Sequence, residues 1–383
     1  MNFDLSEAQK EFQRGVRAVC ERELWPTAEE VDRTGRVPPR SLHALATAGY
    51  MGMLIPEAFG GNRGDLVSTV LGTEEIARIC PSTALVAGTT LLRFAAPLVL
   101  YGTQAQQERF LPRVAKGDLR GAWALTEPQR GSDTVHLDTR AIEVNEGYSL
   151  HGEKAYVVNG GDCGAVLVVA VIEAPDKTAL GTGAFLVEPS MMGVETGEKL
   201  SPTGARGASL CGLRFRQCRL DHEARLGGEA GPDRETLERM SHGALLMAGY
   251  AVGVGQACLE EAISYARQRI TFGRPIVTYQ EVHFKIADMQ VNIDVARQLS
   301  LRAAWLVDQG MGSAVEASVA KLFASEMAPE CARLCAQIHG GRALLEGTRV
   351  DRLLRDSRIA EVAEGTPEMH RLFIAGEALQ GKA

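Results

Sequence analysis

The spacing of apolar residues changes character twice along the 383-residue chain. Over residues 1–120, apolar side chains recur every three or four positions, which is typical of amphipathic helices. Ser6 is suited to cap the first of these helices, because its hydroxyl can accept from the N–H groups of an opening turn. A shorter helix begins at Thr103, and we expect Pro112 to interrupt or bend it. The pattern therefore predicts a helical N-terminal domain.

Residues 121–225 carry short β-prone runs instead of helical periodicity. Three of these runs, at 155–159, 165–172 and 183–187, are followed within a few positions by glycine or proline. No helical stretch separates them, so the crossover helices that a parallel sheet uses are missing. We therefore expect a middle domain built on a small antiparallel sheet or barrel.

Residues 226–383 return to a helical pattern. Apolar positions keep this spacing through 281–309, and Gly310 follows as an end signal. The stretch 248–257 is dense in glycine and alanine, which permits close backbone approach and places this helix at the centre of a bundle. The predicted fold class is thus α+β and multidomain. It has an N-terminal α-helical domain, a middle antiparallel β domain and a C-terminal four-helix-bundle domain.

The amino-acid composition argues against two kinds of binding partner, nucleic acids and membranes. Lys and Arg number 41 against 48 Asp and Glu, and the resulting net charge of −7 argues against a nucleic-acid partner, which needs a basic surface. The longest apolar run, 165–172, is far shorter than the roughly 20 residues that span a bilayer, so we expect no membrane span. The first residues lack the basic and apolar regions of a secretory signal. We expect a cytoplasmic protein.

Familiar metal and nucleotide motifs are missing from the sequence. The eight cysteines form no C-x-x-C pair and the histidines show no ligand spacing, so we expect no metal site. Cys331 and Cys335 stand one helical turn apart, which favours two small buried residues over a redox pair. Gly253 and Gly255 lie inside a helical run and not after a strand, so they do not form a dinucleotide-binding turn.

Five segments, in order, resemble the acyl-CoA dehydrogenase family. Residues 123–133 (WALTEPQRGSD) resemble its first signature, and 269–280 (RITFGRPIVTYQ) resemble its R-x-x-F-G segment. Residues 337–341 (QIHGG) and 355–371, which contain EGTPEMHR, are similar to its two C-terminal segments. Residues 55–61 (IPEAFGG) match an N-terminal loop of the family. The resemblance covers essentially the whole chain.

The resemblance implies an FAD-dependent enzyme that oxidises an acyl-CoA thioester to the trans-2-enoyl thioester. Glu364 matches the base that removes the α-proton, although from its residue type alone it could equally be a capping or surface glutamate. The amide of Glu364 and a flavin ribityl hydroxyl are expected to bind the thioester oxygen, and flavin N5 is expected to accept the hydride. Electron-transferring flavoprotein is the implied electron acceptor.

The same resemblance implies a set of FAD contacts. Read by themselves, Thr126 and Ser132 also suit turns or caps, and Tyr156 suits a plain strand aromatic. Gln337 and Gly341 match residues that reach the FAD of a neighbouring subunit, which implies a homotetramer built as a dimer of dimers. The implied FAD-contacting residues are Leu125, Thr126, Gly131, Ser132, Tyr156, Val158, Arg269, Phe272, Gln337, Gly341 and Thr366.

Some positions depart from the family pattern. Val158 stands where the family usually has a threonine or serine that hydrogen-bonds flavin N5, and Ala244 stands where many members carry arginine. Ala363 replaces a common tyrosine and leaves more room before Glu364. Thr89 and Arg130 are candidate substrate contacts, although Arg130 equally suits a solvated loop.

These departures leave alternatives open. A dehydrogenase or oxidase acting on a branched, cyclic or carrier-protein-bound acyl thioester is compatible with them. A catalytically silent acyl-CoA-binding or assembly protein with the same fold is a further alternative. The length and shape of the acyl group are not determined by any one residue.

Overall fold

The chain folds as helices, then a sheet, then helices again, in a computed structural model that describes residues 4–312 and 314–381. This order is the predicted one. The α-helices are, in chain order, α1 (Glu7–Val19), α2 (Ala28–Thr34), α3 (Pro39–Thr47), α4 (Leu66–Ile79), α5 (Pro81–Gly88), α6 (Ala96–Tyr101), α7 (Gln104–Ala115), α8 (Arg234–Glu238), α9 (His242–Gln268), α10 (Gln280–Asp308), α11 (Ala314–His339), α12 (Arg349–Ser357), α13 (Ile359–Val362) and α14 (Pro367–Leu379). The strands are β1 (Gly121–Ala124), β2 (Arg140–Val144), β3 (Gly147–Val157), β4 (Ala165–Glu173), β5 (Ala179–Val187), β6 (Val194–Thr196), β7 (Cys211–Leu220), β8 (Ile270–Thr271) and β9 (Arg274–Pro275).

Local sequence signals account for the helix ends in the N-terminal region. The Ser6 side chain accepts from the N–H of Gln9, and the Gln9 side chain accepts from the N–H of Ser6, so α1 begins with the expected cap. Of the two effects expected of Pro112, an interruption of its helix is wrong, because α7 continues through it to Ala115, and a bend stays a prediction. Proline removes one backbone hydrogen bond, but the buried side chains of Phe110 and Val114 hold this helix on the core.

The middle sheet is mixed and not purely antiparallel. β5 runs antiparallel along one edge of β4. β1 and then β2 run parallel to β4 along its other edge. The remaining pairings, β2 with β3, β3 with β7 and β7 with β6, are antiparallel. The sequence prediction excluded parallel pairs because no crossover helix is present. In the structure, the β2–β3 hairpin and the loop after it return the chain, so β4 can run parallel to β2 without a crossover helix.

The N-terminal and C-terminal helices share one continuous hydrophobic core, and the sheet has a second. Helix α9 lies at the centre of the shared core, as its small residues predict. At Gly253 an added Cβ would lie 2.3 Å from the Glu74 carbonyl oxygen of α4, so only glycine permits this approach. Cys331 and Cys335 are buried in the same core on α11, as expected for small apolar residues.

Two helical stretches are long and apolar enough to cross a bilayer. They are Pro81–Tyr101, which joins α5 to α6 through a π-helical segment at Thr89–Ala95, and Arg234–Gln268. Within their most apolar parts, 89% and 83% of the residues are buried inside the fold. They are therefore core helices of this fold.

A buried ion pair fastens the loop after β1 to the sheet. Lys154 Nζ on β3 donates to Glu127 Oε1 and to the Leu125 carbonyl oxygen, each at 2.8 Å. The other contacts of the Glu127 carboxylate are the N–H groups of Asp138 and Thr139. Burial lowers the pKa of Lys154 to about 8. Burial opposes ionisation of Glu127, but these hydrogen bonds together hold the pKa of its carboxyl below the usual value.

We expect Gly253→Ala to destabilise the protein by about 1–3 kcal/mol, because the new methyl group overpacks the α9–α4 contact. Gly15→Ala on α1 is the matched control, since nothing lies within 4 Å of an added Cβ there. Helix propensity predicts that this control gains up to about 1 kcal/mol. Urea denaturation followed by circular dichroism measures both, and equal effects of the two substitutions would contradict the close approach.

We expect Lys154→Met to destabilise the protein by about 3–5 kcal/mol, because it leaves the buried Glu127 carboxylate without its cation. Lys10→Met, which breaks an exposed pair with Glu7, should leave the thermal-unfolding midpoint unchanged. Scanning calorimetry of the parent and the two variants compares their thermal-unfolding midpoints and tests whether the buried pair stabilises the protein. A parent-like midpoint for Lys154→Met would show that the pair does not fasten the loop.

Candidate active site

Glu364 lies in a strained turn between α13 and α14. Its φ of +57° is in the left-handed region, which is costly for a residue with a side chain, and Gly365 follows at +89°. Strain of this kind persists only where the surroundings enforce it, and it clusters at functional sites. The helix after the turn is capped by Thr366, whose hydroxyl accepts from the N–H of Met369 at 3.4 Å.

Two buried side chains hold the backbone of this turn. His370 Nε2 donates to the Glu364 carbonyl oxygen at 3.0 Å, and Lys321 Nζ donates to the Gly365 carbonyl oxygen. Burial, assisted by the charge of Lys321, lowers the pKa of His370 to about 4, so its imidazole is neutral near pH 7. Burial also lowers the pKa of Lys321 to about 8. These two hydrogen bonds therefore fix the turn through the backbone carbonyl groups of Glu364 and Gly365.

The carboxylate of Glu364 faces Arg93. Arg93 Nε lies 3.2 Å from Glu364 Oε2, and the side chain of Arg93 is only 5% exposed. On its other side the guanidinium lies 4.3 Å from the ring centroid of Trp123 on β1, which is a cation–π contact. At Gly243 an added Cβ would lie 2.2 Å from Glu364 Oε2. The lack of a side chain at this position in the first turn of α9 therefore makes room for the carboxylate.

A small cavity of about 80 Å³ borders this pair. Its walls include Arg93, Gly243, Ala244, Ala317, Glu364 and His370. A larger cleft of about 350 Å³ lies elsewhere, between Trp25, Asp32 and Arg355, and none of the predicted site residues lines it. The predicted base Glu364 borders the smaller cavity, where a carboxylate, a buried cation and a strained turn meet.

The predicted cofactor residues of the middle domain form a second group near Trp123. The N–H of Ala155 donates to the Thr126 carbonyl oxygen at 2.8 Å, which places Thr126 beside Tyr156. Tyr156 has a φ of +54° and its ring is 62% exposed. Leu125 is bound through its carbonyl by Lys154, and Val158 packs half-buried at the end of β3. Leu125, Thr126, Tyr156 and Val158 thus share one edge of the sheet.

The loop that follows is open to solvent. Gly131 and Ser132 are exposed, and nothing lies within 4 Å of a Cβ built on Gly131. Arg130 hydrogen-bonds to the Asp138 carboxylate at 2.9 and 3.2 Å and to Asp133 at 3.4 Å, so its side chain closes this loop. A substrate contact of Arg130 stays a prediction.

The other predicted residues are spread over the surface. Phe272, with a φ of +50° and 96% exposure, is at the tip of the β8–β9 hairpin next to the exposed Arg269. Gln337 and Gly341 are exposed at the end of α11. Thr89 is buried one turn before Arg93 and does not line the cavity. Within one protomer, only Thr366 is adjacent in sequence to the Glu364–Gly365 turn.

Sequence reasoning missed the partners of Glu364. Arg93, Lys321 and His370 are all buried against the Glu364–Gly365 turn, and none was singled out from the sequence. One signal was available for Arg93, because it is the one charged residue in the apolar stretch 81–101. A lone arginine inside a core helix needs a partner.

Comparison with known proteins agrees with the order of helical, β and helical regions along the chain. Three family models match in succession: the acyl-CoA dehydrogenase N-terminal domain over residues 6–118, the middle domain over 122–218 and the C-terminal domain over 234–379.

Whole proteins match over nearly their full lengths. A probable acyl-CoA dehydrogenase of Bacillus subtilis is 35% identical over 380 residues, which is 99% of this chain and 100% of the relative. The structure of butyryl-CoA dehydrogenase from Megasphaera elsdenii superposes with a TM-score of 0.93 at 31% identity, covering 99% of this chain and 100% of that one. A glutaryl-coenzyme A dehydrogenase in complex with glutaryl-CoA gives 0.95 at 27% identity, with coverages of 100% and 98%. The chain therefore belongs to the acyl-CoA dehydrogenase family of FAD-dependent oxidoreductases.

Proposed function

We propose that this protein, with FAD bound, converts an acyl-CoA thioester into its trans-2-enoyl thioester, with Glu364 as the base. The observation that carries the proposal is the placement of Glu364. Its backbone is held in a left-handed conformation by Lys321 and His370, and its carboxylate borders a cavity that the absence of a side chain at Gly243 leaves open. A surface or capping glutamate would need none of these contacts.

The edge of the sheet near Tyr156 suits a flat aromatic cofactor. The exposed ring of Tyr156 and the open space around Gly131 leave room for one, and the hydroxyls of Thr126 and Ser132 are polar groups that can orient it. Arg269 and Phe272 offer a guanidinium for a diphosphate and an exposed ring for stacking. When bound, FAD supplies the two-electron acceptor.

The residues around Glu364 have separate roles in proton transfer, in holding the turn and in binding the thioester oxygen. The α C–H bond breaks and its proton goes to the Glu364 carboxylate, and bound FAD would supply the acceptor for the β-hydrogen and its electron pair that formation of the double bond requires. Lys321 and His370 bind the two carbonyl oxygens of the turn. The N–H of Glu364 donates to no backbone acceptor among the described residues, so it is available to the thioester oxygen. Such a donor stabilises negative charge that develops on that oxygen.

Membership of the family also supports proposals for the electron acceptor and for the oligomeric state. We propose electron-transferring flavoprotein as the electron acceptor and a homotetramer as the working form. Exposed apolar side chains support the tetramer. Leu344 and Leu345, which follow the predicted cross-subunit contact Gly341, are 86% and 60% exposed in one protomer, and Phe272 on the β8–β9 hairpin is 96% exposed. The small side chains of Ala244 and Ala363 leave the shape of the acyl group open, including a carrier-protein-bound one.

Glu364→Gln should retain bound FAD but slow substrate-dependent flavin bleaching by about 10²–10⁴-fold, because the amide cannot accept the α-proton. The measurement is anaerobic stopped-flow absorbance with a panel of straight, branched, cyclic and dicarboxylic acyl-CoAs. Glu368→Gln, which makes the same change on the exposed face of α14, is the matched control and should bleach like the parent. Parent-like bleaching by Glu364→Gln would remove Glu364 from its assigned role.

Phe272→Asp should shift the protein from tetramer toward smaller species and lower its FAD content, because it replaces an exposed apolar ring, which is also a predicted FAD contact, with a charge. Met192→Asp is the matched control, since Met192 is 92% exposed but lies on the middle domain between β5 and β6. Sedimentation velocity and flavin absorbance measure the two effects. A monomeric parent would contradict the proposed assembly.

A further inference from the structure

A second cluster of polar side chains lies between α9 and α11. Cys258 and Glu261 are three residues apart on α9 and share one face of that helix. Cys335 and His339 are four residues apart on α11 and share a face in the same way. The two thiols are fully buried, His339 is 4% exposed, and none of the four residues lines the cavity at Glu364. Together these four residues form the thiol cluster, which is separate from the proposed site.

Both ring nitrogens of His339 face acceptor atoms. Nδ1 lies 2.8 Å from the Cys335 carbonyl oxygen and 3.7 Å from Cys335 Sγ. Nε2 lies 3.9 Å from Glu261 Oε1 and makes no hydrogen bond among the described residues. The ring of Tyr265 covers one face of the imidazole, with the ring centroids 4.1 Å apart. A neutral imidazole has only one N–H, so acceptors at both nitrogens favour the imidazolium, which has two donors.

A buried imidazolium needs a negative partner. Glu261 is shared, because its Oε2 lies 3.2 Å from Arg349 Nη1. The sulfur of Cys335 is the other group beside His339 that can become an anion. Burial opposes the charge on His339, but its contacts with Cys335 and Glu261 raise the pKa of the imidazole to about 9. The arrangement therefore favours a thiolate at Cys335 paired with the imidazolium of His339.

Cys258 stabilises the same thiolate. Its thiol is the hydrogen-bond partner that lowers the pKa of Cys335 most, and His339 adds to this shift against the effect of burial. The pKa of Cys258 is raised by the same contact, so its sulfur keeps the proton that it donates. Burial raises the pKa of the other six thiols, which are Cys20, Cys80, Cys163, Cys211, Cys218 and Cys331. Among the eight cysteines, Cys335 is thus the one favoured as a nucleophile.

The surroundings of Cys335 restrict which reagents reach its sulfur. Cys335 is fully buried, whereas the side chain of Glu261 is 28% exposed and connects the thiol cluster to solvent. A small neutral oxidant such as hydrogen peroxide suits this access better than a bulky or charged reagent. A thiolate with a second thiol beside it is the arrangement that peroxide converts to a sulfenic acid and then to a disulfide.

We propose that Cys335 is an oxidation site for hydrogen peroxide and that Cys258 closes the resulting disulfide between α9 and α11. The Cys335 thiolate attacks one peroxide oxygen, the O–O bond breaks, and the leaving hydroxide takes a proton from the imidazolium of His339 to become water. The Cys258 sulfur then attacks Cys335 Sγ, the S–O bond of the sulfenic acid breaks, and the hydroxyl leaves with the Cys258 proton as a second water. The two sulfurs together lose the two electrons that reduce the peroxide.

The competing role for these thiols is that of small buried side chains, which predicts that peroxide leaves both reduced. The test treats the FAD-loaded protein with a small molar excess of hydrogen peroxide, then alkylates the free thiols after unfolding and maps the tryptic peptides without reduction. Trypsin cleaves after Arg333, so Cys331 and Cys335 fall on different peptides, and Cys258 is the one cysteine of its peptide. The parent should give a cross-link between the Cys258 and Cys335 peptides that a thiol reductant separates.

Variants assign the steps. Cys335→Ala should abolish the cross-link, whereas Cys331→Ala, which removes a buried thiol from the same helix, should form it at the parent's rate. Cys258→Ala should stop at the sulfenic acid, which dimedone labels. His339→Gln should slow cross-linking at least about tenfold, because the imidazolium that favours the thiolate is lost.

A parent in which Cys258 and Cys335 both stay reduced overturns the inference, as does oxidation confined to other cysteines. Undiminished cross-linking in His339→Gln also overturns it, because the geometry assigns activation of the sulfur to that imidazole. If a variant does not fold, the peptide map of the parent still decides. None of these measurements needs turnover, so their outcome is independent of the proposed dehydrogenation.

Discussion

The close packing of α9 against α4 is the contact on which the arrangement of the site depends. At Gly249 and Gly253 an added Cβ would meet α4 atoms at 3.1 Å and 2.3 Å, so the two backbones touch where small residues allow it. This contact makes one core out of helices that are separated in sequence by the whole sheet. The helical segment bearing Arg93 also packs on α9, where an added Cβ at Gly243 would lie 3.2 Å from Arg93 Cδ.

The site is assembled from three parts of the chain that have no local relation to one another. Arg93 comes from the N-terminal helices, Trp123 from the first strand and Glu364 from the turn before the last helix. Each pair of neighbours is held by a different interaction, an ion pair on one side of the guanidinium and a cation–π contact on the other. Arg93 therefore connects β1, through Trp123, with Glu364, the proposed base.

The features of the fold that depend on residues close in sequence could be predicted from the sequence. The cap of α1, the central position of α9 and the order of helices, sheet and helices follow from capping chemistry, small-residue spacing and periodicity. Glu364 could be predicted as the base only because its motif resembles that of a family. The parallel pairing of β4 with β1 and β2 escaped prediction, since it depends on how a hairpin returns the chain. Lys321 escaped because burial and a partner at long range leave no trace in residue spacing. Arg93 stands out as a lone charge in an apolar stretch, but the sequence does not show that its partner is Glu364.

The hollow at Gly243 makes positions 243 and 364 compete for one volume. A side chain at 243 would begin where Glu364 Oε2 now lies, so the two positions cannot both carry a large group. A carboxylate supplied from α9 could occupy this space only if position 364 were emptied. The space beside Gly243 therefore holds one carboxylate, and in this chain Glu364 supplies it from the strained turn.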